Sequence, residues 1–331
     1  MKFSSPAKIL LLMLLSGLLL ALAACDSEEE TPTPDPTESA TVTPTEEAAQ
    51  PAGRAIVLGD ISDDPAEVIE GAQPLADYLA ANLSEFGITE GQVRVAADDA
   101  EMIALLESGE VDLYFDSLYP ITLISDSIGA TPFIRRWRFG VEEYYSVIFT
   151  TQSSGITSLE QLKGQLIAFD NQFSTSGFVL PAVYLIGEGY TLAGKADYDQ
   201  TASAEEIGFV FSFDDENTLQ WVLNGLVAAG ATDDFNFEQG FPEEAREQLV
   251  ALGQTDSVPR QVGLARPGLE ADLLEAIKAV LIAADESPEG QAVLENYQTS
   301  QFDDFPEGIE AAQEEMRAIM DTVQAIPLAA E

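Results

Sequence analysis

Between Ala55 and Phe115 the chain alternates strand and helix patterns, and that alternation leaves few folds open. Ala55 to Leu58 is a short apolar run ended by Gly59-Asp60. Pro65 to Leu83 places Val68, Ile69, Ala72, Leu75, Leu79 and Leu83 near one helical face. Val93-Arg94-Val95 is a second strand, Ala100 to Leu106 a helix stopped at Ser108-Gly109, and VDLYF (Val111 to Phe115) a third strand. The order β-α-β-α-β predicts a parallel sheet covered by helices. The pattern then breaks and restarts. Tyr144 to Thr151 reads as a strand, Ser158 to Leu162 as a short helix and Leu166 to Phe169 as a strand. Gly177 to Ile186 follows as a helix, Phe209 to Phe211 as a strand, Thr218 to Asn224 as a helix and Leu226 to Ala229 as a strand. Arg260 to Ala265 supplies one more strand before a long helix, whose Leu273, Leu274, Ile277, Val280 and Leu281 have the spacing of a core face. Two α/β lobes joined by two crossover strands account for this order. A single large α/β sheet is the alternative.

The folded part does not begin at the first residue. Lys2 and Lys8 flank the start of an apolar run from Ile9 to Leu20, followed by Leu22-Ala23-Ala24-Cys25. A charged segment, a short apolar segment and small residues before a cleavage point make a signal peptide over 1–24. The run is too short and one-sided for a membrane span. Leu-Ala-Ala-Cys resembles a bacterial lipobox, whose cysteine is lipidated and becomes the new N-terminus. Cys25 is therefore the expected lipidation site, with an ordinary secretory signal as the alternative. Residues 25–53 are rich in Thr, Pro, Glu and Ala and lack large apolar side chains, so they read as a disordered tether. From there the expected organisation is a first part of lobe 1 over 54–146, lobe 2 over 147–256, and a crossover and return to lobe 1 over 257–325.

Composition removes whole classes of function. The 331 residues carry 14 basic and 58 acidic side chains, a net charge of −44. That balance argues against nucleic acid and against docking on an anionic membrane surface. Histidine is missing throughout and Cys25 is the only cysteine, which removes Ser-His-Asp and Cys-His catalysis, imidazole-dependent zinc sites and an internal disulfide.

Several stretches together resemble the solute-binding proteins of phosphate, phosphite and phosphonate ABC importers: LADYLA, LESGEVDLYF, YYSVIFTTQSSGITSLEQLKG, STSGFVLP and DDENTLQWVLNGLVAAG. The resemblance runs roughly from Ile56 to Leu281. Its most specific piece is Ser174-Thr175-Ser176-Gly177 after a strand ending in Asp170, whereas the run from Ser154 to Gly164 is shared by wider families. One departure is visible. Many members carry a Gly-Ser-His-like turn after the strand matching Phe209 to Phe211, and this chain has Ser212-Phe213-Asp214-Asp215-Glu216-Asn217 there. The resemblance implies a type II periplasmic-binding-protein fold, each lobe a mixed, mostly parallel sheet flanked by helices with two crossover strands at the hinge.

It also implies an oxyanion site, and the residues can make one. The first N–H groups of a helix have no intrahelical partner and carry partial positive charge. Ser174, Thr175 and Ser176 add hydroxyl donors, and Gly177 leaves room for close approach. The alternative is one capping hydroxyl with the others facing solvent. Asp116, Ser117 and Tyr119 follow the strand VDLYF, where ligands of open α/β sheets bind, although Tyr119 can equally pack under a loop. Arg136, in the cluster Arg135, Arg136 and Arg138 around Trp137, either meets the anion or pairs with carboxylates. In a strand Arg136 and Arg138 share one face. Tyr144 or Tyr145 can line the cleft from the hinge. Asp214, Asp215, Glu216 and Asn217 either cap the helix near Thr218 and charge its first turn or recognise an amine on the ligand.

The expected protein is thus a lipid-anchored, extracytoplasmic solute-binding component of an ABC importer, with a small oxyanion as ligand and a permease and ATPase as partners. It is expected to be a monomer, to need no cofactor, and to touch the membrane through its anchor alone. A sensory protein on the same fold, an importer component for a sulfonate or small heterocycle, and an enzyme on this scaffold are the rivals.

Overall fold

The computed structural model describes residues 53–62 and 64–328. The signal peptide, Cys25 and the tether up to residue 52 lie outside them. The strands are β1 (Arg54–Ile61), β2 (Ile88–Ala96), β3 (Leu113–Asp116), β4 (Thr131–Arg138), β5 (Glu143–Tyr144), β6 (Ser146–Thr151), β7 (Leu166–Phe169), β8 (Leu192–Gly194), β9 (Ile207–Phe211), β10 (Ala229–Asp233), β11 (Leu249–Gln254), β12 (Val258–Pro259), β13 (Gln261–Ala265) and β14 (Thr299–Asp303). The helices are α1 (Pro65–Asn82), α2 (Asp99–Ser108), α3 (Leu118–Ile128), α4 (Leu180–Gly187), α5 (Asp215–Leu223), α6 (Glu243–Arg246), α7 (Ala271–Ile282), α8 (Pro288–Asn296) and α9 (Ile309–Gln324). None among the described residues is long and apolar enough to cross a membrane.

Two six-stranded sheets form, in the orders β14-β4-β13-β3-β1-β2 and β11-β6-β10-β7-β9-β8. Within the first, β2-β1-β3 run parallel and β13 runs antiparallel to both β3 and β4. Within the second, β8-β9-β7-β10 run parallel and β6 is antiparallel to β10 and β11. The chain leaves the first sheet through β5 and returns to it through β12, and these two strands pair with each other. The two crossovers expected from the broken alternation are therefore a small antiparallel ladder at the hinge. The single-sheet alternative is excluded.

Local sequence explains most of the elements. Asp64 starts α1 by accepting from the N–H groups of Ala66 and Glu67 at 3.2 and 3.3 Å, with Pro65 at the first helical position. Ala72, Leu75, Ala76 and Leu79 then face β1 and β2. β3 and β7 are short apolar runs buried on both faces, as parallel strands between helix layers must be. Leu273, Ile277 and Leu281 are fully buried, so the apolar stripe of α7 is core. The last long helix, α9, packs against α3 of the first lobe and α4 of the second. Its Met316, Met320 and Val323 join a core that spans both lobes. Just beyond it, Gly194 N–H donates to the carbonyl of Pro327 at 2.9 Å.

Three expectations shift. The strand read at Leu226 to Ala229 begins at Ala229 and runs to Asp233. Leu226 and Val227 belong instead to the exit of α5, where both N–H groups bond the carbonyl of Trp221 beside Gly225 in the left-handed region. Their apolarity serves the helix end, and the true strand, AGATD, is too small and polar to stand out. The single strand read at Tyr144 to Thr151 is two, because Tyr144 pairs with Val258 in the hinge while Ser146 pairs with Asp233 in the second sheet. The helix read from Gly177 starts at Thr175 with a wide turn, Thr175–Val179, before α4. Pro181 has no N–H to bond the carbonyl of Gly177. That carbonyl accepts from Asp170 N–H at 3.1 Å instead, and Phe178 and Val179 N–H both reach Ser174 O, at 3.2 and 3.0 Å.

Candidate functional site

The ends of β3 and β7 present two helix N-termini to each other across the lobes. On the first side, Ser117 is the N-cap of α3, and its own side chain makes no capping bond. Asp116 Oδ1 accepts from Ser117 N–H at 2.6 Å and the Tyr114 hydroxyl donates to Asp116 Oδ2. On the second side, Ser174 Oγ accepts from Gly177 N–H at 3.0 Å. Ser174 is therefore the cap, which leaves Thr175 and Ser176 for other work. Thr175 is 1 % exposed, and its hydroxyl crosses to the other lobe. It donates to Ser117 Oγ at 2.9 Å and accepts from Tyr119 N–H at 3.1 Å. Ser176 stands beside the Tyr144 hydroxyl, whose pKa burial pushes up to about 12, so Tyr144 stays neutral. Gly177 is required here: a Cβ would lie 2.5 Å from Asp170 Cβ and 2.7 Å from Ser174 Oγ.

The structure thus brings Asp116, Ser117, Tyr119, Thr175, Ser176 and Gly177 together. Two helix dipoles point their positive ends at one small region, the arrangement that favours an anion. Tyr119 is buried, and burial raises its pKa, so it enters as a neutral phenol.

Other expected residues lie around this centre. Tyr145 donates to Glu238 Oε1 at 3.3 Å on the second lobe, and Tyr144, one residue earlier, is the hinge tyrosine that reaches inward. Asp214 is the N-cap of α5, accepting from Glu216 and Asn217 N–H at 2.7 and 3.1 Å, and it is exposed. Arg136 is buried at the C-terminal edge of the first sheet and holds Thr299 Oγ1 and Gln261 Oε1, both at 2.7 Å, and Tyr297 O. Arg135 pairs with Asp303 and Glu142. Arg136 and Arg138 line a cavity of about 590 Å³ together with Asp60, Tyr114 and Asp116.

Arg260 was not singled out from the sequence, and Asp215 only as one of the run from Asp214 to Asn217. Arg260 directly follows the returning crossover strand, and its guanidinium lies 4.4 Å from the centre of the Tyr144 ring. It is 7 % exposed, bonds Asp233 Oδ2 at 3.4 and 3.5 Å, and leaves Nε without a partner. Its sequence signal is its place next to Val258-Pro259, legible only once that pair is known to be a hinge. Asp215 accepts from Thr232 Oγ1 at 2.8 Å and Asn236 Nδ2 at 3.0 Å. Burial, then the charges of Asp170 and Asp233, push its carboxyl up to about 7.

That shift has a sign that can be checked. A carboxyl with a raised folded-state pKa stabilises the fold below its unfolded value near 3.8 and loses that contribution as pH rises towards 7. Asp215→Asn should match the parent unfolding midpoint near pH 4 and exceed it increasingly up to pH 8. A difference that does not change with pH would show that Asp215 titrates normally. Among the described residues no group of His, Cys, Asp and Glu side chains is set to hold a metal ion.

Residues 61–306 match the family model described as ABC transporter, phosphonate, periplasmic substrate-binding protein. Among solved structures, XAC2383 from Xanthomonas citri is similar at 27 % identity and a TM-score of 0.77 in its chloride-bound form. Its ATP-bound form gives 26 % and 0.75, and both matches cover 81 % of this chain and 98 % of that one. PhnD1 from Prochlorococcus marinus, in complex with methylphosphonate, is similar in fold, at 15 % identity and a TM-score of 0.62 over 82 % of this chain and 98 % of that one.

Proposed function

The chain belongs to the family of phosphonate ABC transporter periplasmic substrate-binding proteins, and from that premise we propose that it binds a phosphonate-, phosphite- or phosphate-like oxyanion between its lobes. As a family member it is a binding protein rather than an enzyme, it works on the extracytoplasmic side, and its partners are a small ligand and the permease and ATPase of the importer. The reading of the site rests on one observation: the N-termini of α3 and of the Thr175–Val179 turn meet through Thr175, Ser117 and Tyr119. An anion placed there gains first-turn N–H groups from both lobes, the hydroxyls of Ser117, Thr175 and Ser176, and the phenol of Tyr119. Gly177 allows its approach, Asp116 fixes the turn before α3, and Arg260 and Arg136 supply nearby positive charge. The anions held by XAC2383, chloride and ATP, are in keeping with an anion-binding cleft. Because donors come from both lobes, binding favours closure over the β5–β12 hinge, by as much as the ligand prefers the closed form.

A thermal-shift panel of phosphate, phosphite, methylphosphonate, 2-aminoethylphosphonate, sulfate and ATP tests the reading. A ligand at 100 times its Kd should stabilise the protein by about 2.7 kcal/mol. No shift with any phosphorus oxyanion would refute it. Tyr145 and Asp214 are assigned to the rim, where they meet any substituent that protrudes past the second lobe.

The anchor is proposed from sequence: Cys25 carries the lipid and the segment up to residue 53 spaces a monomeric domain from the membrane. Cys25→Ala should release the protein from the membrane fraction or block its processing, because stable anchoring needs more than one acyl chain. A variant that matures and fractionates like the parent would remove Cys25 from that role.

A further inference from the structure

Positive charge is scarce in this chain, and nearly all of it is paired. Beyond Lys2 and Lys8 there are twelve basic side chains against 58 acidic ones. Nine of those twelve lie within 4.0 Å of a carboxylate oxygen among the described residues. Arg246 is turned to the backbone carbonyls of Phe241 and Glu238. The remaining two, Arg136 and Arg138, stand two residues apart in β4 and line the same cavity of about 590 Å³.

Their hydrogen-bond partners are neutral where an ion pair is expected. Arg136 is buried, its acceptors are a hydroxyl, an amide oxygen and a backbone carbonyl, and its guanidinium lies 3.6 Å from the centre of the Tyr297 ring. Arg138 reaches Gln298 Oε1 at 3.4 Å, and its buried Nε has no partner. Four carboxylates also line the cavity, Asp60, Glu67, Glu70 and Asp116, yet none is within 4.0 Å of these guanidinium groups, and Glu67 and Glu70 are exposed to solvent. Asp116 is taken by Tyr114 and Ser117, and Asp60 accepts from Ile61 N–H at 2.8 Å. Two neighbouring guanidinium groups so placed repel each other, and burial disfavours both charges. A bound anion would relieve both costs, with charge-assisted bonds to planar donors. The cavity adjoins the oxyanion site, since Asp116 lines it and accepts from the N–H of Ser117, whose hydroxyl meets Thr175.

We propose that the ligand carries a second anionic group, a carboxylate or another phosphonate, which enters this cavity and pairs with Arg138, with Arg136 behind it. The proposal rests on the reading that a phosphonate head sits at the paired helix N-termini. Calorimetric titration of the whole chain tests it with methylphosphonate and 2-aminoethylphosphonate against phosphonoformate, phosphonoacetate, 3-phosphonopropionate and methylenebisphosphonate. At least one of the last four should bind about tenfold or more tightly than methylphosphonate, and the winner tells a carboxylate from a second phosphonate. Arg138→Gln should reduce that preference ratio by about tenfold, the loss expected for one charge-assisted contact. If methylphosphonate or 2-aminoethylphosphonate binds as tightly as every doubly anionic probe, the second-anion proposal falls and the phosphonate-head reading stands. If none of the six binds, both fall. A preference ratio unchanged by Arg138→Gln also overturns the proposal. The wild-type series decides by itself should the variant fold poorly.

Discussion

Phe178→Ala is expected to lower the stability of the protein by about 3–5 kcal/mol, the range for removing a fully buried aromatic side chain. Phe178 is 1 % exposed and its ring lies 5.3, 5.6 and 5.1 Å from those of Phe169, Phe209 and Phe211. It follows Gly177 directly. The cluster therefore fixes the wide turn onto β7 and β9, and so holds the Thr175 and Ser176 donors in place before any ligand arrives. Chemical denaturation should show the loss as a lower midpoint with an unchanged slope. A loss under about 1 kcal/mol would mean that the site collapses around the void and that the turn is held by its hydrogen bonds alone.

The second large effect concerns affinity. Thr175→Val keeps the shape of the side chain and removes the hydroxyl that joins Ser117 and Tyr119. Ser176→Ala removes the hydroxyl next to Tyr144. If these groups hold an oxyanion, each substitution should cost roughly 1.5–3 kcal/mol of binding, a ten- to hundredfold rise in Kd. Ser174→Ala is the contrast. Its Oγ caps the turn, so it should lose about 1 kcal/mol of stability and change affinity far less. Affinity left intact in both Thr175→Val and Ser176→Ala would move the anion site to the Arg136 and Arg138 cavity.

The parts of this arrangement that were legible share a local cause. Three hydroxyls and a glycine between an apolar run and a helical one mark a strand-to-helix junction whichever way the rest of the chain folds. Asp116 to Tyr119 were readable because the end of a buried parallel strand is where such sheets bind ligands. What escaped is tertiary. Arg260 is one cation among twelve until β12 pairs with β5 and turns it towards Tyr144. Asp215 sits beside Asp214 in an acidic run, and only the return of β10 with Thr232 and Asp233 distinguishes the buried carboxyl from the exposed cap. β8 and β14, whose sequences are LAG and TSQFD, lie at sheet edges and lack the apolar alternation that identifies a strand. β10 was displaced because Leu226 and Val227 spend their apolarity at a helix exit. The wide first turn depended on Pro181, four residues after Gly177, whose effect on the Gly177 carbonyl is local but shows only once Asp170 is seen to use it.

The central claim is that one oxyanion bridges the N-termini of two helices on opposite lobes. A crystal structure of the protein grown with methylphosphonate tests it most directly. The account predicts the phosphonate between the lobes, with its oxygens about 2.7–3.1 Å from first-turn N–H groups after Ser117 and Ser174 and from the Ser176 hydroxyl. It also predicts that Thr175 and Ser117 still face each other beside it. Phosphonate bound on one lobe alone, or found in the Arg138 cavity with the Thr175–Gly177 turn empty, would contradict it.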